Sequence, residues 1–297
     1  MHKILNPNVI GVSGRQSEVI ELALNNGFKH LEIDILEFQR RSEQQGLPAA
    51  KRLLDSAKLI VAGFELPIPL GAAEPAYQAS LAAFDKIGPI AQQLGATLCW
   101  THLEPASDER PFHENFELHR KRLQEVGGLL DRFNLRLGVG ILAAAAHRVP
   151  KAFQFIYQPD QLLLLLKTVG AANVGVLLDL WDWHVGGATL DQIRKLTAEQ
   201  VVCVRIADIP ADADLSTVGE EQRLIPGEAS PIDAVAVVQH LAERKYEGPI
   251  SACPHPSRFV GQRREAIVKK LSSSIDELWK SAGLDTNGQL AAETTQA

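Results

Sequence analysis

The sequence predicts an α/β fold, a single (β/α)8 barrel, and three observations carry that reading. Eight short apolar runs alternate with eight helical segments, and no succession of strands marks a separate antiparallel domain. The run Val174 to Leu178 carries no polar side chain, the pattern of a strand covered on both faces, and it ends abruptly in Asp179. The length of 297 residues suits one barrel of roughly 250 residues with extensions. Residues 1–282 are assigned to the barrel and 283–297 to a polar, mobile C-terminal tail. A doubly wound sheet is the alternative, but no Gly-x-Gly-x-x-Gly follows the first strand.

Each element has its own signal. Val9 to Val12 reads as the first strand, followed by an amphipathic helix from Ser17 to Asn26 that Gly27 ends. Leu31 to Ile35 is the second strand, and a helix covers Ala49 to Ala57. Lys58 to Phe64 is the third strand and Pro75 to Leu94 the next helix, with Ala96 to Trp100 opening the fourth strand toward His102 and Glu104. Apolar residues at three- and four-residue spacing mark Glu114 to Phe133 as helical. Leu135 to Leu142 is strand five, and an Ala-rich loop then carries His147 and Arg148. Pro159 opens a helix through Val169, Val174 to Asp179 is strand six, and Leu190 to Leu196 is helical. Val201 to Ile206 is strand seven, Pro231 to Arg244 a helix, Ile250 to Cys253 strand eight, and Arg263 to Trp279 the last helix.

Composition excludes several classes of function. Apolar residues make up 45% and charged ones 22%, the balance of a globular chain. The leucine run 162–166 is far shorter than the roughly 20 residues of a spanning helix, so no membrane role is expected. A net charge of −6 gives no reason to bind a phosphate backbone, and nucleic acid is not an expected partner. Cys99, Cys203 and Cys253 are odd in number and widely spaced, which argues against disulfides. With no secretory signal in the first residues, a cytoplasmic setting is expected.

In a barrel, the strand ends gather Glu32, Asp34, Glu65, His102, Glu104, Asp179, Asp182, His184, Arg205, Asp208, Cys253 and His255 at one mouth. Strand ends are also simply where a core meets water. Asp179 stands apart because it closes an apolar run and needs a partner. Arg205 is the expected one, since it interrupts strand seven, where an unpaired charge is costly; such a pair serves structure as readily as it serves a ligand's oxygens. The long acidic connection 208–227 has the length of a lid and carries Arg223. Trp181 and Trp183 offer faces for a sugar, or equally pack as lids on the core.

The segments Gly27-Phe-Lys-His-Leu-Glu32, Val176-Leu-Leu-Asp-Leu-Trp-Asp-Trp183, Val204-Arg-Ile-Ala-Asp208 and Arg223-Leu-Ile-Pro-Gly227, in this order, resemble the xylose isomerase-like TIM-barrel family, which includes sugar phosphate isomerases and epimerases. The resemblance implies a divalent metal such as manganese or zinc, held by a Glu on strand five, an Asp on strand six, a His on strand seven and a Glu on strand eight. Only the aspartate has a counterpart here, Asp179; the other positions match Gly140, Arg205 and Cys253, and a further His expected three residues after the aspartate is Asp182. Arg223 matches an arginine that contacts substrate oxygens. The expectation is therefore no metal cofactor, with a rebuilt zinc site from Cys253, His255, Asp179 and His102 as the disfavoured alternative.

The resemblance implies proton-transfer chemistry on a small sugar or sugar phosphate, with Asp179, Arg205, Asp182 and Glu32 as catalytic candidates. Arg223, His102, Trp181, Trp183, His184 and His255 are the substrate-binding candidates. The alternative is a non-catalytic sugar-binding or regulatory protein using the same mouth. An apurinic-site endonuclease shares this fold but needs a histidine-rich zinc site. Barrels of this type often associate, so a homo-oligomer is left open.

Overall fold

The computed structural model describes residues 1–229 and 231–291. Eight parallel strands close into one barrel in sequence order: β1 (His2–Leu5), β2 (His30–Ile33), β3 (Ile60–Glu65), β4 (Leu98–His102), β5 (Arg136–Gly140), β6 (Val174–Asp179), β7 (Val201–Ile206) and β8 (Pro249–Ala252). β8 pairs back to β1, with Lys3 beside Ile250. No helix among the described residues is long and apolar enough to cross a membrane.

Strand alternation sorts the side chains into two cores. Leu5, Leu31, Phe64, Leu137, Val139, Val176, Leu178, Val204 and Ile250 belong to the large cluster shared with helix residues such as Phe84, Leu123 and Leu165. Their neighbours Ile4, Ala62, Trp100, Leu177 and Cys203 form a separate apolar cluster, the plug inside the barrel. Above that plug, the next inward positions are Glu32 on β2, His102 on β4, Asp179 on β6 and Arg205 on β7, all at the C-terminal mouth.

Three elements differ from expectation. The first strand is His2–Leu5, while 9–12 forms turns: Val12 N–H donates to the Pro7 carbonyl at 2.9 Å, and Gly11 takes φ 68. The true strand escaped notice because it is short and begins with His2 and Lys3. Two helices were also unforeseen, Ile35–Gln45 and Leu180–Val185, each capped by the aspartate that ends the preceding strand region. Asp34 accepts from Glu37 N–H, and Asp179 accepts from Trp181 N–H and Asp182 N–H. An Asp-x-x-Asp or Asp-x-x-Glu pattern just after an apolar strand was the available signal.

At the other end, Leu284 is buried and bridges Leu290, and the Met1 ammonium donates to the Gly288 carbonyl at 3.3 Å. Of the tail assigned to 283–297, residues 292–297 lie outside the described residues.

Candidate functional site

The mouth is built on two guanidinium groups in opposite circumstances. Arg223, from the long connection after β7, is fully engaged: Nη1 donates to both oxygens of Asp179 at 3.0 and 2.9 Å, and Nη2 donates to Asp182. Its guanidinium also lies 4.4 Å from the Trp181 ring centre. Both aspartates hold further bonds: Asp179 Oδ1 accepts the two capping N–H groups, and Asp182 Oδ1 accepts from Ala143 N–H at 2.8 Å. Asp182 thereby fastens the segment after β5 and the segment after β7 to the same point. Burial pushes the Asp182 carboxyl up to about 7 against the pull of Arg223.

Arg205 was the expected partner of Asp179, and the structure corrects this. The two residues are register neighbours on β6 and β7, yet it is Arg223 that bonds Asp179. A charged fork delivered by a loop can meet a carboxylate end-on, whereas two adjacent strand residues point side by side into the barrel. Arg205 is buried, makes no side-chain hydrogen bond among the described residues, and has as its salt-bridge neighbour Glu32, with Nη2 3.9 Å from Oε2. Its guanidinium sits 5.8 Å from the Trp100 ring centre. Arg205 Nη2, Glu32 Oε2 and Trp100 Nε1 are all buried without a hydrogen-bond partner. Burial raises the Glu32 carboxyl to about 8, with Arg205 opposing and Glu65 reinforcing the shift.

His102 lies beside these groups, driven down to about 3 by burial and by Arg205, so it is neutral at ordinary pH. It fills the space above β5: a Cβ on Gly140 would come within 2.8 Å of His102 Cδ2 and equally close to Leu177 Cδ2. On β8, Cys253 Sγ stands 3.2 Å from Ser251 Oγ, and burial pushes its thiol up to about 11.

A cavity of about 950 Å³ lies on the β3–β4 side of the mouth, lined among others by Glu65, Thr101, His102, Glu104, Asn115 and His119. Arg205 and Glu32 are not in its wall; they sit behind Glu65 and His102, both of which feel the Arg205 charge. A two-stranded ribbon, Ala106–Ser107 against Phe153–Gln154, joins the segments after β4 and β5 beside it. Of the expected substrate contacts, only His102 lines this cavity. Trp181 and Trp183 are completely buried and present no face to a ligand; they are core lids. His255 caps the short helix Pro256–Phe259 and bonds Ser257 Oγ at 2.8 Å, and His184 is half-buried with its pKa lowered by burial. Trp100 carries only a strand signal in sequence; its place in the plug with its indole beside Glu32 is a product of the packing.

The model of the xylose isomerase-like TIM barrel family matches residues 20–278. The chain belongs to this family. Inosose isomerase of Halalkalibacterium halodurans is 23% identical over 151 residues, 48% of this chain and 53% of the relative, so the match spans about half of that protein's length. A xylose isomerase domain protein from Alicyclobacillus acidocaldarius superimposes with a TM-score of 0.85 at 23% identity, covering 95% of this chain and 99% of the other. The IolI protein, solved with a bound zinc atom, gives 0.77 at 14% identity over 95% and 98%. At these identities the structures establish the fold.

The side chains at the positions where the resemblance implies metal ligands are engaged as follows. The strand-six carboxylate, Asp179, has both oxygens turned to Arg223. At the strand-five position Gly140 supplies no donor and His102 occupies the room for one. Strand seven contributes a cation, and the strand-eight thiol is held protonated. A divalent ion needs converging anionic or neutral donors, and no three His, Cys, Asp or Glu side chains converge that way among the described residues.

Proposed function

We propose that this protein is a carbohydrate isomerase or epimerase that performs proton transfer at the barrel mouth without the family's usual divalent ion. The observation that carries the reading is the pairing of an unengaged buried guanidinium, Arg205, with a carboxyl group, Glu32, whose pKa of about 8 suits an acid–base catalyst. In this scheme Glu32 as carboxylate takes the proton from a carbon next to a carbonyl. The electron pair moves onto the carbonyl oxygen, and Arg205 stabilises the resulting enediolate. Return of that proton by Glu32 to the neighbouring carbon, with the hydroxyl proton passing from one enediolate oxygen to the other, gives isomerisation; delivery of a solvent proton to the opposite face of the original carbon, with Glu32 keeping the proton it took, gives epimerisation.

Asp179, Asp182 and Arg223 then have a positioning role, because every oxygen of Asp179 and the facing edge of Arg223 are already committed to one another. The cavity of about 950 Å³ is large enough for a monosaccharide, and its wall residues Glu65 and His102 adjoin Arg205 and Glu32, so the reading places the reacting carbons at that end of it. Three buried free cysteines accord with a reducing, cytoplasmic setting.

The test is exchange of substrate C–H protons with solvent deuterium, followed by NMR over a panel of aldoses, ketoses and their acids. Exchange by the wild type that disappears in Glu32→Gln supports the reading. Ligand binding with no exchange for any member of the panel would instead favour a non-catalytic sugar-binding protein using the same mouth.

A further inference from the structure

Among the described residues of the mouth, Arg205 is a buried cation whose donors the fold leaves unused. It lies on a barrel strand, its side chain is 8% exposed, and none of its N–H donors is bonded to the described protein. A buried guanidinium held by a single 3.9 Å contact is costly, because the desolvation of the charge is not offset by hydrogen bonds. Arg223, at the same depth, shows what satisfaction looks like here: three short bonds to two carboxylates.

We propose that Arg205 anchors a carboxylate on the ligand, so that the substrate class is a small polyhydroxy carboxylic acid, a sugar acid. This rests on the reading of the mouth as a carbohydrate site and narrows it. A planar fork of donors matches a planar carboxylate in two parallel hydrogen bonds. A neutral sugar leaves the buried charge uncompensated. Among the described residues of the cavity wall a phosphate dianion finds no unpaired lysine or arginine: Lys151 is paired with Asp108 at 2.5 Å and Arg110 lies beside Glu109 at 3.6 Å, while the helix start after β6 is capped by Asp179. Glu65 and Glu104 on the same wall add negative charge that a dianion meets at greater cost than a monoanion.

The groups around Glu32 give the anchor a pH signature. Arg205 and Cys203 face Glu32 from β7, Glu65 from β3 and Trp100 from β4. While Glu32 holds its proton, the charge on Arg205 is available to the ligand; once Glu32 ionises, it competes for the same fork. Carboxylate affinity therefore falls as pH rises past about 8, the value to which burial lifts Glu32.

The experiment is ligand-observed NMR with D-gluconate, D-glucitol and D-glucose 6-phosphate against the wild type, Arg205→Met and Arg205→Lys, with thermal unfolding of each. Gluconate should bind the wild type at least tenfold more tightly than glucitol, and Arg205→Met should abolish that preference while Arg205→Lys keeps part of it. Equal binding of gluconate and glucitol, or gluconate binding untouched by Arg205→Met, overturns the anchor and leaves the carbohydrate reading standing. Tightest binding by the phosphate ester overturns the choice of carboxylate. Binding by none of the three overturns both. Should Arg205→Met fail to fold, the wild-type preference and its decline above pH 8 decide the matter.

Discussion

Replacing each mouth arginine by methionine, which keeps the length of the stem and removes the charge, should give opposite results. Arg223→Met strips three charge-assisted bonds from Asp179 and Asp182, whose side chains are 3% and 1% exposed. Removing one partner of a buried pair costs about 3–5 kcal/mol, since the other charge is left without compensation. One carboxylate can take up a proton, and Asp182 is already poised for this near 7, so the lower half of that range is expected at pH 6 and the upper half at pH 8. Arg205→Met breaks no hydrogen bond and one 3.9 Å contact with a carboxyl that is itself mostly protonated at neutral pH. Its effect should stay within about 1 kcal/mol and can be stabilising. Urea or guanidinium unfolding at the two pH values measures both. A loss from Arg205→Met as large as that from Arg223→Met would refute the distinction between a committed and an unused guanidinium.

Three further outcomes follow from the same geometry. Glu32 has a folded pKa of about 8 against an unfolded value near 4.5, so its contribution to stability is full below about 4.5 and is lost as pH rises toward 8; Glu32→Gln should be the more stable protein at pH 9, by a few kcal/mol at most, with the advantage vanishing at pH 4, and parallel pH profiles would contradict this. Gly140→Ala places a methyl group 2.8 Å from both His102 and Leu177 and should cost about 1–3 kcal/mol, relieved in combination with His102→Ala; a neutral effect in thermal unfolding would show that His102 does not fill that space. Mass-spectrometric metal analysis after incubation with manganese, cobalt or zinc should find far less than one ion per chain, and near-stoichiometric metal that disappears in Asp179→Ala would refute the reading of Arg223 as the resident cation at that carboxylate.

The barrel and its mouth were readable because their signals are local. Strand six announces itself by five residues without a polar side chain, and the ionisable residues that follow strands two, four, six and seven do meet at one end. The departures from the family's ligands, Gly140, Arg205 and Cys253, were also visible as residue types at aligned positions. Which charge meets which was another matter. Strand adjacency suggested Arg205 for Asp179, but the fork that reaches it comes from Arg223, 44 positions along the chain. Trp181 and Trp183 look alike in sequence to residues that stack on sugars, and only their complete burial shows that they cover the core.

By itself, then, the sequence determined the closed parallel barrel, seven of its eight strands and the identity of groups near its mouth, because hydrophobic periodicity and the switch from apolar strand to polar end are written in neighbouring residues. Only the tertiary structure decided that one arginine is spent on two aspartates while the other keeps its donors free beside a protonated glutamic acid. Pairing among buried charges depends on the direction from which each side chain arrives and on the water each has lost, and both are properties of the folded packing rather than of sequence position.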